Sequence, residues 1–317
     1  MYYIGVDVGG MSIKIGIVDG DGNIVKTLTF TTSKDDSQEV HAILIGENVN
    51  KLIEESNISK SEIKGIGIGV PGGVKPSEGL ATYVPNIPWV DLPLAKIVEG
   101  VTGLPVKLGN DADVATLGEV YFGVAKNYSN VVLITIGTGV GGGIVLDKKL
   151  YQGNLGMVAE LGHVTLKLGG HKCGCGRCGC LEQYASATAL IRLTKEKMLE
   201  NRDSAMWDFV DGDIEKVNGI TSFACAKKGD KVANDVVDEF VSYIGDGLMN
   251  FMNIFRPEAV IIGGGISKEG DYLVDKVKAY CDKFSYGYPS APKADVLAAK
   301  LGNNAGIVGA ASLFAQE

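Results

Sequence analysis

Four of the six cysteines in this 317-residue chain lie within eight positions, in the segment HKCGCGRCGC (171–180). Thiolates bind Zn²⁺ tetrahedrally, and a structural zinc site needs four ligands. The C-x-C spacing would strain a loop that wraps one ion with cysteines alone, and a histidine ten residues before the first cysteine offers another ligand. The spacing leaves open a Cys₄ site, a Cys₃His site, and a disulfide or reactive thiol pair. The candidate ligands are His163, Cys173, Cys175, Cys178 and Cys180, with His171 as a second histidine.

Two glycine turns have the same arrangement, an apolar strand followed by glycines and a second strand, and could hold phosphate. The segments VDVGG (6–10) and TIGTGVGG (135–142) each end an apolar strand and lead into another. Backbone N–H groups without side chains form an anion cradle, and an acid beside them can hold hydrated Mg²⁺. One hairpin alone would be an ordinary tight turn, but two, one with an acid, favour a nucleoside triphosphate. The candidate contacts are Asp7, Gly9, Gly10, Lys14, Gly137, Thr138, Gly139, Gly141 and Gly142, with Gly264 against the adenosine.

The second turn also contains GTGVGG (137–142), which satisfies the G-x-G-x-x-G dinucleotide fingerprint. That motif must open a helix after its strand. Here GIVLD (143–147) follows, which is rich in β-branched residues and typical of a strand. The sequence therefore argues against a nicotinamide-binding enzyme.

The segment GNDADVATLGEV (109–120) predicts a helix that begins with a capping asparagine, Asn110. Asp111 then falls in the first turn, where the helix dipole favours an ionised carboxylate. An ionised aspartate beside a sugar hydroxyl can accept its proton during phosphoryl transfer. The residues alone equally allow that Asn110 and Asp111 only cap the helix.

The fold that positions these residues consists of two similar halves, because the same order of predicted elements occurs twice along the sequence. The strand, glycine turn and strand at the N-terminus recur from Asn130, and apolar strands ending in glycine recur at 63–73 and 257–267. Each of the latter follows a predicted helix, at 38–56 and 231–255. We therefore expect a duplicated α/β unit with two domains around a cleft. The predicted domains are residues 1–115, with a C-terminal helix in 300–317 packing back on them, and residues 116–299.

Composition and charge restrict the function. The net charge is −8, and no basic run suggests a nucleic-acid surface. No stretch of about 18 apolar residues predicts a membrane span. The N-terminus MYYIGVDVGG does not resemble a signal peptide, so we expect a cytoplasmic protein, in which clustered cysteines more often hold metal than form disulfides.

Six segments together resemble consecutive motifs of the ROK family (repressors, open reading frames and sugar kinases). They are DVGGMSIKIG (7–16), GIGVPGG (67–73), NDADVATLGE (110–119), TIGTGVGGGIV (135–145), ELGH (160–163) and CGCGRCGCLE (173–182). Within the family, these motifs are most like those of bacterial glucokinases of the Gram-positive type. The resemblance implies a duplicated actin-like ATPase (ribonuclease H-like) fold and an ATP-dependent hexose kinase that uses ATP, Mg²⁺ and a structural Zn²⁺ as a homodimer.

The resemblance also implies roles for individual residues. Asp111 becomes the catalytic base, and the metal ligands become His163, Cys173, Cys175 and Cys180, which leaves Cys178 at a variable position. The family's threonine after the two glycines is Met11 here, so its phosphate contact is lost or passes to Ser12. The implied sugar contacts are Asn86, Asn110, Asp111, Glu160, His163 and Glu182, although Glu160 and Glu182 would otherwise be read as solvated loop residues.

Alternative functions remain within the same family. The alternatives to glucose as the substrate are N-acetylmannosamine, N-acetylglucosamine, fructose and allose. Polyphosphate is the alternative to ATP as the phosphoryl donor. A sugar-responsive repressor would carry a helix-turn-helix domain before the first hairpin, and we expect no room for one before Asp7. The charged segment 198–220 predicts a helix–loop–helix insertion to which we assign no function.

Overall fold

The computed structural model describes residues 1–10, 12–33, 35–84, 87–153, 158–287 and 289–316. The strands within these residues are β1 (Tyr2–Val8), β2 (Ile13–Asp19), β3 (Ile24–Phe30), β4 (Ile63–Val70), β5 (Gly73–Lys75), β6 (Leu80–Tyr83), β7 (Val90–Leu92), β8 (Val106–Asn110), β9 (Val131–Ile136), β10 (Val140–Leu146), β11 (Lys149–Leu150), β12 (Ala259–Gly263) and β13 (Asp295–Ala298).

The helices within the described residues are α1 (Gln38–Glu54), α2 (Leu94–Thr102), α3 (Asp111–Tyr121), α4 (Glu182–Ala185), α5 (Ala187–Glu200), α6 (Met206–Phe209), α7 (Thr221–Ala226), α8 (Lys231–Phe255), α9 (Asp271–Phe284) and α10 (Ala305–Ala311).

The two main sheets repeat one strand order. The first sheet runs β3-β2-β1-β4-β8 and the second runs β11-β10-β9-β12-β13. Numbered within its own half, each sheet therefore has the order third, second, first, fourth, fifth. In the first sheet, β1 pairs antiparallel with β2 and parallel with β4, and β4 pairs parallel with β8. The duplicated α/β fold predicted from the sequence is confirmed.

The first sheet is buried on both faces, because consecutive residues in the middle of its central strands, whose side chains point to opposite faces, are both apolar or glycine. One face packs its branched side chains, such as Ile4 and Ile68, into a core with helices α1 and α2. The other face packs against α10 at very short range. A Cβ on Gly5 or Gly67 would overlap the backbone of that helix, so glycine is required at both positions.

Contacts between Cα atoms divide the chain into two compact units. The first comprises Met1–Val131, Gly143–Ala159 and Lys300–Glu317, and the second comprises Val132–Gly142 and Glu160–Ala299. The sequence placed the end of the first domain at residue 115, whereas the first unit continues through α3 to Val131. Helix α10 belongs to the first unit.

Helix α8 has the bounds that the sequence predicts. Asp230 caps its N-terminus by accepting a hydrogen bond from the N–H of Ala233 at 2.7 Å. Its C-terminus ends at Arg256, whose positive φ of 47° breaks the helix just before Pro257. In the part of the chain that the structure describes, no helix has both the length and the apolar character needed to cross a bilayer.

Two segments differ from what their sequences favour. The alternating pattern of HVTLKL (163–168) is typical of a strand, but Leu161–His163 form a 3₁₀ turn and only an isolated bridge joins Thr165 to Cys180. The segment 198–220 does not form a helix–loop–helix. It contains the end of α5, the four-residue α6 and a 3₁₀ turn at Ile214–Lys216, because aspartates and glycines interrupt its apolar residues.

Candidate active site

Asp7 lies at the end of β1 beside the first glycine turn. It faces Lys14 across the hairpin, and the Lys14 Nζ lies 3.9 Å from the Asp7 Oδ2. Burial raises the pKa of the Asp7 carboxyl, and the Lys14 ammonium opposes that rise. Gly306 in α10 packs directly on Asp7, since a Cβ at that glycine would overlap the carboxyl group. A cation bound at Asp7 would favour the charged form that burial disfavours.

The first turn itself is closed by the backbone. The N–H of Gly9 donates to the carbonyl of Ser12 at 3.0 Å, and Gly10 is exposed between them. Ser12 is half-buried at the start of β2. Met11, which replaces the family's threonine, lies outside the described residues.

Asn110 and Asp111 join the end of β8 to the start of α3. The Asn110 Oδ1 caps the helix by accepting from the N–H of Ala112 at 2.9 Å, and its Nδ2 donates to the carbonyl of Gly72, also at 2.9 Å. The Asp111 Oδ1 accepts from the same Ala112 N–H at 2.9 Å, and the residue is exposed. The predicted capping role of Asn110 is confirmed, and the exposed carboxylate of Asp111 is oriented by the first turn of the helix.

The parallel register brings these acids to one edge of the first sheet. Asp7 of β1 is the neighbour of Gly69 on β4, and Val70 of β4 is the neighbour of Asn110 on β8. Asp7, Asn110 and Asp111 therefore all stand at the carboxyl ends of parallel strands. Open α/β sheets bind their ligands at this edge.

The second glycine turn, Gly137–Thr138–Gly139, is held from outside the hairpin. The carbonyl of Gly137 accepts from the N–H of Ala187 at 2.8 Å, and the carbonyl of Thr138 accepts from the Thr188 hydroxyl at 2.8 Å. Thr188 was not predicted as a site residue, because nothing in the segment ASATAL (185–190) indicates a partner about 50 positions earlier.

The other glycines of the second unit are structural close approaches. A Cβ on Gly142 would lie 2.6 Å from the Leu161 side chain, and one on Gly264, where φ is 79°, would overlap the backbone of Ile136. Gly141 is half-buried within β10. Because β10 is a strand, GTGVGG does not open a helix, and the argument against a dinucleotide fingerprint is confirmed.

Four of the six candidate metal ligands converge. The ligand atoms of His163, Cys173, Cys175 and Cys180 all lie within 4.8 Å of one another. The Cys173 Sγ is 3.6 Å from the His163 Nδ1, and the Cys175 Sγ is 3.6 Å from the Cys180 Sγ. Ligands about 2.3 Å (sulfur) and 2.1 Å (nitrogen) from a tetrahedral zinc stand about 3.5–3.8 Å apart. The Cys₃His arrangement therefore fits a zinc ion.

The chemistry of the thiols also fits a cation. Burial, followed by hydrogen bonds to the other thiols, raises the pKa of Cys180 to about 12. The backbone N–H of Arg177 is the main cause that lowers the pKa of Cys175. A bound dication would stabilise all three thiolates. Cys178 and His171 are exposed and lie outside the four-residue cluster. All six cysteines are free thiols that form no disulfide.

Backbone hydrogen bonds shape the metal loop. The N–H groups of Leu166 and Lys167 both donate to the carbonyl of Gly179, at 2.8 and 3.1 Å. The Cys173 N–H donates to the carbonyl of Arg177 at 2.8 Å, which closes the tip of the loop. Gly179 has a φ of 81°, and a Cβ there would overlap the Lys167 carbonyl. This loop presents Cys173 and Cys180 from two adjacent segments.

The two glutamates predicted to contact sugar differ in their surroundings. Glu160 is exposed, and its carbonyl accepts from the N–H of His163 at 3.0 Å in the 3₁₀ turn. Glu182 is half-buried at the start of α4, and its carboxylate reaches both Cys173 and the N–H of Val140. The structure therefore brings Glu182 to the second glycine turn, which the sequence did not predict. Asn86, a further predicted sugar contact, lies outside the described residues.

Known proteins resemble this chain over nearly its whole length. The ROK family model matches residues 3–317. A glucokinase from Streptomyces coelicolor is 40% identical over 312 residues, which cover 98% of this chain and 96% of that protein. The crystal structure of a ROK family glucokinase from Streptomyces griseus, in complex with glucose and AMPPNP, has a TM-score of 0.80 at 37% identity and covers 99% of both chains.

A relative with a different function is more distant. A xylose repressor from Bacillus subtilis is 30% identical over 314 residues, which cover 98% of this chain and 76% of the repressor. The match of the family model over nearly the whole length, together with the glucokinase similarity, shows that this chain belongs to the ROK family.

Proposed function

We propose that this protein is an ATP-dependent hexose kinase that converts glucose to glucose 6-phosphate. The observation that carries the proposal is the exposed carboxylate of Asp111, which stands beside Asp7 and Asn110 at the carboxyl edge of the first sheet. Similarity to the glucokinases of S. coelicolor and S. griseus supports glucose as the substrate.

Asp111 acts as the general base. Its Oδ1 is oriented by the N–H of Ala112, so the carboxylate keeps one direction as a sugar hydroxyl approaches. The carboxylate accepts the proton of the 6-hydroxyl as that oxygen attacks the γ-phosphorus, and ADP leaves in line. The transition state is loose, so positioning and charge neutralisation supply most of the rate, and the base contributes about 10²–10⁴-fold.

Each glycine turn contributes groups that can bind phosphate. Gly9, Gly10, Ser12 and Lys14 form the phosphate-binding group of the first turn, and Gly137, Thr138, Gly139, Gly141 and Gly142 form that of the second, with Gly264 near the adenosine. Asp7 would hold Mg²⁺, which neutralises charge on the phosphate oxygens. Its partial burial and raised pKa support this role, since a bound cation would favour the charged form of a partly desolvated carboxylate.

His163, Cys173, Cys175 and Cys180 would hold a structural zinc, which supplies the cross-link that orders the loop. The loop in turn fixes Glu160, His163 and Glu182, which form hydrogen bonds with sugar hydroxyls. Asn86 and Asn110 are the further sugar contacts of the proposal. The remaining expectations, a cytoplasmic enzyme of glycolysis acting as a homodimer, rest on the unpaired thiols, the ATP-dependent reaction and the family.

The test is a coupled assay with a panel of hexoses and two donors, ATP and polyphosphate. We expect glucose and ATP to give the highest kcat/KM. The variant Asp111→Asn should lose about 10²–10⁴-fold in turnover while calorimetry still detects glucose binding. The neighbouring variant Asp113→Asn is not its control, since Asp113 is buried; Glu47→Gln, an exposed carboxylate on α1, is the matched control. Normal turnover by Asp111→Asn would remove it from the mechanism.

A further inference from the structure

We propose that Glu182 is a positioning residue for the nucleotide, and that through it the metal cluster sets the nucleotide affinity of the second glycine turn. The inference rests on the proposed kinase function and assigns a further role to a residue of the same site. A sugar-contacting glutamate would affect sugar affinity alone. The contacts of Glu182 point to a second effect that is present without sugar.

The second glycine turn is fixed at both ends by the segment that follows the last cysteine. The carbonyls of Gly137 and Thr138 accept from the Ala187 N–H and the Thr188 hydroxyl, both at 2.8 Å. At the other end of the turn, the N–H of Val140 donates to the Glu182 Oε2 at 3.1 Å. The turn therefore takes its conformation from α4 and the start of α5, and not from its own strands alone.

The same carboxylate touches the metal cluster with its other oxygen. The Glu182 Oε1 lies 3.7 Å from the Cys173 Sγ, which is itself 3.6 Å from the His163 Nδ1. Only Leu181 separates Glu182 from Cys180 in the sequence, so the ligand cluster also controls where α4 begins. One side chain thus bridges the metal ligands and the phosphate turn.

The absence of a side chain at Gly139 makes this bridge possible. A Cβ at that position would overlap the Glu182 Oε2. The glycine therefore serves the approach of the glutamate as well as that of a phosphate. A turn held in its binding conformation before the ligand arrives loses less conformational entropy on binding, which raises affinity.

The experiment measures binding of Mg²⁺-AMPPNP in the absence of sugar by calorimetry. Glu182→Ala removes the acceptor for the Val140 N–H, and we expect about tenfold weaker nucleotide binding. Glu182→Gln keeps an acceptor oxygen, so its nucleotide affinity should stay within about twofold of wild type although its glucose affinity falls. Glu196→Ala, an exposed glutamate of the same unit that pairs with Arg192, is the control and should bind as wild type does.

A second pair of variants guards against a folding defect in Glu182→Ala. Thr188 is exposed, so Thr188→Val should fold normally yet bind nucleotide about threefold more weakly, and Thr188→Ser should restore the affinity. Equal nucleotide affinity in wild type, Glu182→Ala and Thr188→Val, with hexose phosphorylation intact in the wild type, overturns the positioning role alone. A wild type that binds no nucleotide overturns the proposed function as well.

The link to the metal has its own readout. Zinc released by a thiol-reactive mercurial is counted with a chromogenic chelator, and nucleotide affinity is measured on the same metal-depleted sample. Depletion should weaken AMPPNP binding in the wild type but add little in Glu182→Ala, because the connection is already broken. An equal loss in both proteins would show that the metal acts on the turn by another route.

Discussion

Replacing Glu119 by alanine should destabilise the first unit more than any ordinary surface substitution. Glu119 lies on α3, two turns after Asp111, and only 1% of it is exposed. Its Oε1 accepts from the N–H groups of Lys300 and Leu301, at 2.7 and 2.8 Å, and its Oε2 accepts from that of Val124 at 2.9 Å. One carboxylate thus ties the helix of the proposed base to the segment that enters α10.

The expected magnitude follows from these three bonds. A hydrogen bond to a charged group contributes about 1.5–3 kcal/mol, and a buried donor left without a partner loses about 1–3 kcal/mol. Lys300 is exposed, so its N–H can bond to water after the substitution, whereas Val124 and Leu301 are half-buried. We therefore expect Glu119→Ala to lower the free energy of unfolding by about 3–5 kcal/mol.

Thermal unfolding followed by circular dichroism measures this effect. At about 2–4 °C per kcal/mol, the midpoint should fall by roughly 6–20 °C. The matched control is Glu99→Ala, since Glu99 is an exposed glutamate of the same unit that accepts one backbone bond, from Val106 at 2.9 Å. A midpoint for Glu119→Ala within about 3 °C of wild type, or equal to that of Glu99→Ala, would refute the reasoning.

Two further predictions concern the metal and pH. Plasma mass spectrometry of the purified variants should detect no zinc in Cys175→Ser but normal zinc in Cys178→Ser, because Cys175 belongs to the cluster and Cys178 does not. Equal zinc content in both variants would contradict the ligand assignment. Burial raises the pKa of Asp7 above its usual value of 3.8, so the folded protein holds that proton more tightly than the unfolded chain and loses stability as pH rises through this range. Asp7→Asn should therefore unfold at a higher temperature than wild type at pH 7 while losing nucleotide turnover, and an unchanged or lower midpoint would show that the pairing with Lys14 outweighs burial.

The sequence predicts the elements that depend on nearby residues. The bounds of α1 and α8, the cap at Asn110 and the two glycine turns follow from apolar periodicity, hydrogen-bonding side chains and the conformational freedom of glycine. The repeated order of elements along the chain likewise predicts the duplication that both sheets show. All of these depend on interactions within a few residues or on a pattern visible in one dimension.

The tertiary structure decides which residues meet. Spacing left six possible metal ligands, and the family resemblance implied His163 with three of the cysteines. The folding of the loop past His163 brings the ligand atoms of these four residues together and leaves Cys178 outside. The contacts of Glu182 with Val140, of Thr188 with Thr138 and of Glu119 with Lys300 span 42, 50 and 181 residues. Such pairs leave no local pattern, because a carboxylate or hydroxyl that bonds a distant backbone group has the same neighbours in sequence as one that faces water.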